Sequence, residues 1–135
     1  MSPNMWQEYI KPRMKTICDV VKNKNKFLFL HSCGNVECLI PELFDIGVDV
    51  FNPFQPEVMD VYKLKKEYGN NISFYGGIST QKVLPYGTVE EVKSDVREKK
   101  EVLGNNGRYI LAPAHAVQID VPVENVLALV EVMKS

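Results

Sequence analysis

The sequence lacks the features that mark membrane-spanning and strongly charged proteins. It has no apolar run long enough to cross a bilayer, and its 16 basic and 17 acidic residues give a formal net charge of −1. A nearly neutral chain is not expected to bind nucleic acid or a membrane surface through bulk charge. The first residues, MSPN, show no basic segment followed by an apolar stretch, so no secretory signal is expected.

Cysteine and histidine are scarce, with three and two residues respectively. An odd number of cysteines without the spacing of a disulfide framework predicts reduced thiols and a cytoplasmic protein. The 135 residues are 45% hydrophobic and 24% charged, as in ordinary globular proteins. We therefore expect a single domain over residues 1–135.

Short β-rich runs alternate with helical patterns along the chain. The runs predict four strands, near residues 27–31, 48–51, 72–76 and 108–112. Between and around them, apolar residues recur at intervals of three and four. This alternation predicts an α/β fold with one parallel sheet, in which every strand-to-helix loop emerges at the same edge.

Helical periodicity also predicts which side chains face the core. In the helix over residues 12–22 the expected inward residues are Met14, Ile17, Val20 and Val21. In the last helix, which opens at Pro122, they are Val123, Val126, Leu127 and Val130. Thr88 and Glu91 fit a capping box at the start of the helix between them.

The expected strand-to-helix loops carry most of the chemically useful side chains. His31 and Cys33 follow the first strand, and His115 follows the fourth. A His and a Cys two residues apart at a strand end can direct their donor atoms to one position, as zinc requires, although such pairs also arise by chance. Cys38 is either a further ligand or an ordinary packed thiol. Five other loop residues are candidates for substrate contacts or for turn formation: Asn52, Gln55, Gly76, Gly77 and Gln81.

Several segments together resemble one known family, the uroporphyrinogen decarboxylase superfamily. They are residues 31–35 (HSCGN), 47–50 (GVDV), 76–78 (GGI), 84–92 (LPYGTVEEV) and 109–115 (YILAPAH). The chain resembles the C-terminal half of that superfamily in one register. The implied fold is the C-terminal half of a (β/α)8 TIM barrel, with four parallel strands and flanking helices. The superfamily includes the decarboxylase of haem biosynthesis and zinc-dependent methyltransferases that move a methyl group between a corrinoid and a thiol.

The resemblance implies two alternative chemistries. In the methyltransferase branch the His and Cys of an H-x-C pair bind zinc, which matches His31 and Cys33, and a further Cys follows the last strand, where this chain has His115. The expected zinc ligands are then His31, Cys33 and His115, with a corrinoid as substrate or partner. The decarboxylase branch has a His at the last position, so His115 would instead be a catalytic group beside a tetrapyrrole, in a site that needs no metal.

Members of the superfamily are more than twice as long as this chain. Four parallel strands cannot close a barrel, because closure in this fold takes eight. We therefore expect the two outer strands to present free edges, which favour pairing with another chain. The alternatives are association with an N-terminal half barrel, a homodimer, or a non-catalytic fragment.

Overall fold

Four parallel strands form the centre of the fold in a computed structural model that describes residues 2–135. The sheet order is β1-β2-β3-β4, and every neighbouring pair is parallel. The strands are β1 (Phe29–His31), β2 (Val50–Phe54), β3 (Ser73–Ile78) and β4 (Tyr109–Pro113). The predicted α/β class and parallel sheet are confirmed, and the observed strands begin one or two residues later than predicted.

Helices precede β1 and follow each strand. They are α1 (Pro3–Met5), a π-helical turn (Trp6–Ile10), α2 (Lys11–Lys22), a 3-10 turn (Glu37–Leu39), α3 (Ile40–Asp45), α4 (Val61–Tyr68), α5 (Val83–Tyr86), α6 (Val89–Gly104) and α7 (Val123–Lys134). No helix within residues 2–135 combines the length and apolarity needed to span a membrane.

Local signals determine where individual helices begin and end. Thr88 and Glu91 form the predicted capping box of α6. Between the second and third predicted strands, apolar spacing predicts a helix over residues 57–68. Helix α4 starts only at Val61, because the Asp60 side chain accepts a hydrogen bond from the Lys63 N–H and caps the helix there. Pro85 and Gly87 predict a loop before Thr88, but residues 83–86 form the short helix α5.

One side of the sheet packs against the helices. Three phenylalanines on β2 and β3, Phe51, Phe54 and Phe74, are fully buried there, and the rings of the last two stack at 4.2 Å. Cys18 of α2 is also fully buried in this core, and burial raises the pKa of its thiol. A second cluster joins α5, α6 and α7 around Leu84, Val92 and Leu129.

The opposite side of the sheet is largely uncovered, and we refer to it as the open face: Phe29, His31, Asn52, Tyr75 and Ile110. Register pairs share a side of a parallel sheet, and His31 pairs with Asn52 while Tyr75 pairs with Ile110. Phe29 is 57% exposed and Ile110 is 38% exposed. Within residues 2–135, β1 and β4 each pair with one neighbour, so the sheet has two open edges.

Candidate metal centre

Adjacent strands place His31 and Asn52 side by side at the carboxyl end of the sheet. The His31 Nδ1 atom lies 2.5 Å from the Asn52 Oδ1 atom. The other end of the amide, Nδ2, donates to the backbone carbonyl of Tyr75 at 3.2 Å. Since that carbonyl can only accept, the amide oxygen must face His31, and Nδ1 must carry the proton. In the neutral imidazole, Nε2 then keeps its lone pair.

Cys33 lies at the free nitrogen of this imidazole. Its Sγ atom is 3.2 Å from His31 Nε2, and both side chains are exposed. Gly34 follows with a φ of +87°, a conformation that glycine adopts readily. The backbone thus changes direction directly after Cys33, and the Cys33 thiol remains exposed.

His115 reaches the same place from the far end of the sheet. The ladder between β3 and β4 continues past β4, because the Ala114 N–H donates to the Ile78 carbonyl at 2.8 Å. This bond fixes the backbone next to His115. The rings of His31 and His115 meet edge to face, with centroids 5.5 Å apart. The twist of the strands curls the sheet, which brings together the loops that follow the two outer strands, β1 and β4.

The three side chains offer a donor set that fits zinc. The ligand atoms of His31, Cys33 and His115 all lie within 4.8 Å of one another, and no other group of three His, Cys, Asp or Glu side chains within residues 2–135 converges in this way. Tetrahedral zinc bonds of about 2.0–2.3 Å place ligand atoms roughly 3.3–3.8 Å apart. Side-chain rotation can close the remaining gap, and two imidazoles with one thiolate leave the fourth position open.

A cavity of about 350 Å³ adjoins this cluster on the open face. His31, Asn52 and Tyr75 line one side, and residues 113–117 of the loop after β4 line the other. Apart from the polar groups of His31, His115, Asn52 and Tyr75, the lining side chains are proline, alanine and valine. The cavity is large enough for a small thiol beside the open ligand position.

The remaining predicted site residues are placed differently. Neither Gln55, Gly76, Gly77 nor Gln81 lines this cavity. Gly76 and Gly77 have φ values of +128° and +93°, and a Cβ atom on Gly77 would lie 2.2 Å from the Tyr109 hydroxyl. That hydroxyl donates to the Gly76 carbonyl at 2.9 Å, and burial raises its pKa, so it remains a donor. Gly77 therefore leaves room for Tyr109. A Cβ atom on Gly76 would instead lie 2.9 Å from the Phe54 backbone nitrogen, so Gly76 allows the close approach of β2.

Two residues of the region differ from what the sequence suggested. Cys38 is exposed in the 3-10 turn and does not belong to the ligand cluster, so it is neither a packed thiol nor a member of this donor set. Glu57 was not singled out, yet its Oε1 atom accepts from the Ser79 hydroxyl at 2.5 Å and joins the loops after β2 and β3. A Glu four residues before a helix gives no sequence signal of such a contact.

Comparison with known proteins gives one consistent result. The sequence model of the family described as uroporphyrinogen decarboxylase (URO-D) matches residues 1–135. A methylcobamide:CoM methyltransferase, MtaA, of Methanosarcina barkeri is 26% identical over 130 residues, which are 96% of this chain and 36% of that protein. A methylated-thiol–coenzyme M methyltransferase of Methanosarcina mazei is 26% identical over 134 residues, 99% of this chain and 34% of that protein.

A solved structure agrees with these relatives. It is described as a methyltransferase from Methanosarcina mazei, with a TM-score of 0.78 and 28% sequence identity. The match covers 99% of this chain and 37% of that one. The chain thus spans little more than a third of the length of these relatives.

Proposed function

This chain belongs to the uroporphyrinogen decarboxylase family, and we propose that it carries the thiol-activating zinc site of a methyltransferase that moves a methyl group between a corrinoid and a thiol. One observation carries the proposal: the donor atoms of His31, Cys33 and His115 lie within 4.8 Å of one another at the carboxyl end of the sheet. The relatives that match nearly the whole chain are methyltransferases by name.

The charge of the donor set suits the activation of a thiol. Two neutral imidazoles and one thiolate would leave a divalent zinc ion with a net charge of +1. Bound zinc would act as a Lewis acid and lower the pKa of an incoming thiol. In the transfer, the thiol would release its proton to solvent and its sulfur would bond to the methyl carbon, while the electron pair of the broken carbon–cobalt bond would stay on the cobalt.

The residues of this chain would do three things in that reaction. Cys33, His31 and His115 would hold the ion with one position open toward the cavity on the open face. The loop over residues 113–117 would line the cavity beside the sulfur with the side chains of Pro113, Ala114 and Val117. A decarboxylase, which stabilises charge with polar groups alone, has no need of a thiol held 3.2 Å from an imidazole nitrogen.

We also propose that further strand–helix units cover the open face, in the same polypeptide or a separate one. Phe29 and Ile110 face outward there between two open sheet edges. Exposed apolar groups beside free strand edges favour a partner that pairs with them. The matched relatives are nearly three times as long, so in them more chain accompanies the corresponding region.

Metal analysis of the purified chain tests the zinc site. We expect one zinc ion per chain after equilibration with zinc and removal of excess, and loss of most of it in Cys33→Ser and in His115→Ala. Cys38→Ser is the matched control, because Cys38 is also an exposed cysteine yet lies outside the cluster. Cobalt substitution gives a second readout, since a thiolate ligand produces a charge-transfer band that Cys33→Ser should abolish.

Two results would contradict the zinc site. Equal zinc binding by wild type and Cys33→Ser would place the ion elsewhere. A wild-type chain that folds but binds no zinc would leave the decarboxylase chemistry, with His115 as a metal-free catalytic group, as the alternative.

A further inference from the structure

We infer that Asn52 is a positioning residue that holds His31 in the Nδ1–H tautomer and so keeps the Nε2 lone pair directed at Cys33. The role of Asn52 in setting the tautomer stands on the geometry alone. Its consequence for metal binding rests on the proposed function. The inference differs from the substrate contact that the sequence predicted for Asn52, because both ends of the amide already have partners within the protein.

The Tyr75 carbonyl gives the amide of Asn52 its direction. The Nδ2 group donates to that carbonyl at 3.2 Å. A flipped amide would set its oxygen against the Tyr75 carbonyl, where two acceptors repel, and its NH2 group against His31. The observed orientation is therefore the one that satisfies both contacts, and it requires a proton on His31 Nδ1.

The backbone fixes the two side chains relative to each other. His31 and Asn52 are register partners on β1 and β2, and the Ser32 N–H donates to the Asn52 carbonyl at 2.8 Å. Two strand residues thus set the imidazole, while the ligands Cys33 and His115 come from loops. A site is held more accurately by strands than by loops, so this pair is the fixed point to which the others adjust.

The tautomer decides which nitrogen can bind. A neutral imidazole has one donor and one acceptor nitrogen, and only the acceptor can ligate a metal. Hydrogen-bond partners of ligating histidines set this choice, and their removal typically lowers metal affinity 10–100-fold. Without Asn52, the His31 ring could rotate or carry its proton on Nε2, the atom that lies 3.2 Å from Cys33 Sγ.

Nitrogen-15 NMR of the metal-free chain tests the tautomer directly. At about pH 8, where free histidine is neutral, we expect wild-type His31 to show a protonated Nδ1 and an unprotonated Nε2. The chain has two histidines, so a His115→Ala sample assigns the signals. Asn52→Leu should shift His31 toward a mixture of tautomers. Asn52→Asp keeps an acceptor for Nδ1–H and should therefore retain the Nδ1–H tautomer, although its second oxygen faces the Tyr75 carbonyl and should lower the stability of the fold.

Zinc affinity, measured by competition with a chelator, gives the second readout. We expect Asn52→Leu to bind about 10–100-fold more weakly than wild type, and Asn52→Asp, which keeps the acceptor for Nδ1–H but loses the bond to the Tyr75 carbonyl, to bind more tightly than Asn52→Leu. Asn105→Leu, which changes an exposed asparagine at the end of α6, should leave affinity unchanged. Circular dichroism establishes whether each variant is folded. If Asn52→Leu does not fold, the nitrogen-15 NMR spectrum of wild type still tests the tautomer.

The outcomes separate this inference from the proposed function. A wild-type His31 protonated on Nε2, or an Asn52→Leu variant with the wild-type tautomer and zinc affinity, would overturn the inference. A folded wild type that binds no zinc, but loses the Nδ1–H tautomer in Asn52→Leu, would overturn the zinc site and support the positioning role of Asn52.

Discussion

A single buried amide joins the last helix to α5 and to the residue that follows α5, and its removal should destabilise the fold measurably. Asn125 of α7 is 2% exposed, and its Nδ2 group donates to the carbonyls of Leu84 at 2.9 Å and Gly87 at 2.8 Å. Asn125→Asp keeps the size of the side chain but replaces the shared donor with an acceptor. Both carbonyls then lose their donor and face a carboxyl oxygen.

The expected destabilisation follows from the burial of these two contacts. A buried carbonyl left without a donor costs about 1–3 kcal/mol. The contact with Leu84 is buried and that with Gly87 is partly buried, so water can compensate the second in part. We therefore expect Asn125→Asp to lower the free energy of unfolding by about 2–4 kcal/mol.

Urea unfolding of wild type and variant at one chain concentration measures this difference. Asn105→Asp makes the same chemical change at an exposed position at the end of α6 and should stay within about 0.5 kcal/mol of wild type. The reasoning would be refuted if Asn125→Asp were as stable as this control with an unchanged dependence on urea. The two carbonyls would then have other donors or access to water.

Two further predictions concern the capping box and the open face. Hydrogen bonds from the Thr88 backbone N–H, the larger effect, and from the Thr88 hydroxyl lower the pKa of the Glu91 carboxyl. A carboxyl whose pKa is lowered by folding contributes stability at pH values above its unfolded pKa. That contribution is lost as the pH falls through the folded-state pKa. The free energy of unfolding of wild type should therefore exceed that of Glu91→Gln most at neutral pH, and the difference should vanish in acid. The control is Glu90→Gln, which changes a neighbouring exposed glutamate outside the capping box and should not show the same pH-dependent loss. A pH-independent difference for Glu91→Gln would contradict this. Light scattering of the dilute chain should show dimers or larger species, fewer of them in Phe29→Lys, which alters the open face beside the β1 edge; a cooperative, monomeric wild type would contradict that expectation.

The sequence predicted the central elements of the fold because their signals are local. Each strand is a short β-rich run, and the capping box of α6 is set by two residues three positions apart. Helical spacing predicts Val89, Val92, Val96 and Leu103 as the buried stripe of α6; the last three are fully buried, and Val89 is partly buried. A helix that is covered on one side by the sheet and charged on the other leaves little ambiguity about its inner face.

The candidate site was only partly accessible from sequence. His31, Cys33 and His115 were expected to meet because loops of parallel strands share one edge and because the motifs resemble a known family. The contact between His31 and Asn52 spans 21 positions and depends on the register of β1 with β2. A shift of that register would separate the two side chains, and no pattern in the sequence specifies register this closely.

The errors in predicting which side of a helix is buried occur in α2 and α7. In α2, Ile17 and Val20 were expected to be buried but are each 60% exposed, whereas Cys18 is buried. In α7, Val123 and Leu127 are 69% and 64% exposed, and Asn125 takes the inner position.

Each of these helices is next in sequence to an outer strand of the sheet: α2 precedes β1, and α7 follows β4. Helix α6, where the prediction was correct, lies between β3 and β4 in the sequence. Apolar residues on the outer sides of the terminal helices add to those on the open face. Neighbouring strand–helix units at each edge of the sheet would cover these apolar groups. The helix periodicity therefore supports, independently of the sheet, the proposal that more of the barrel packs against this chain.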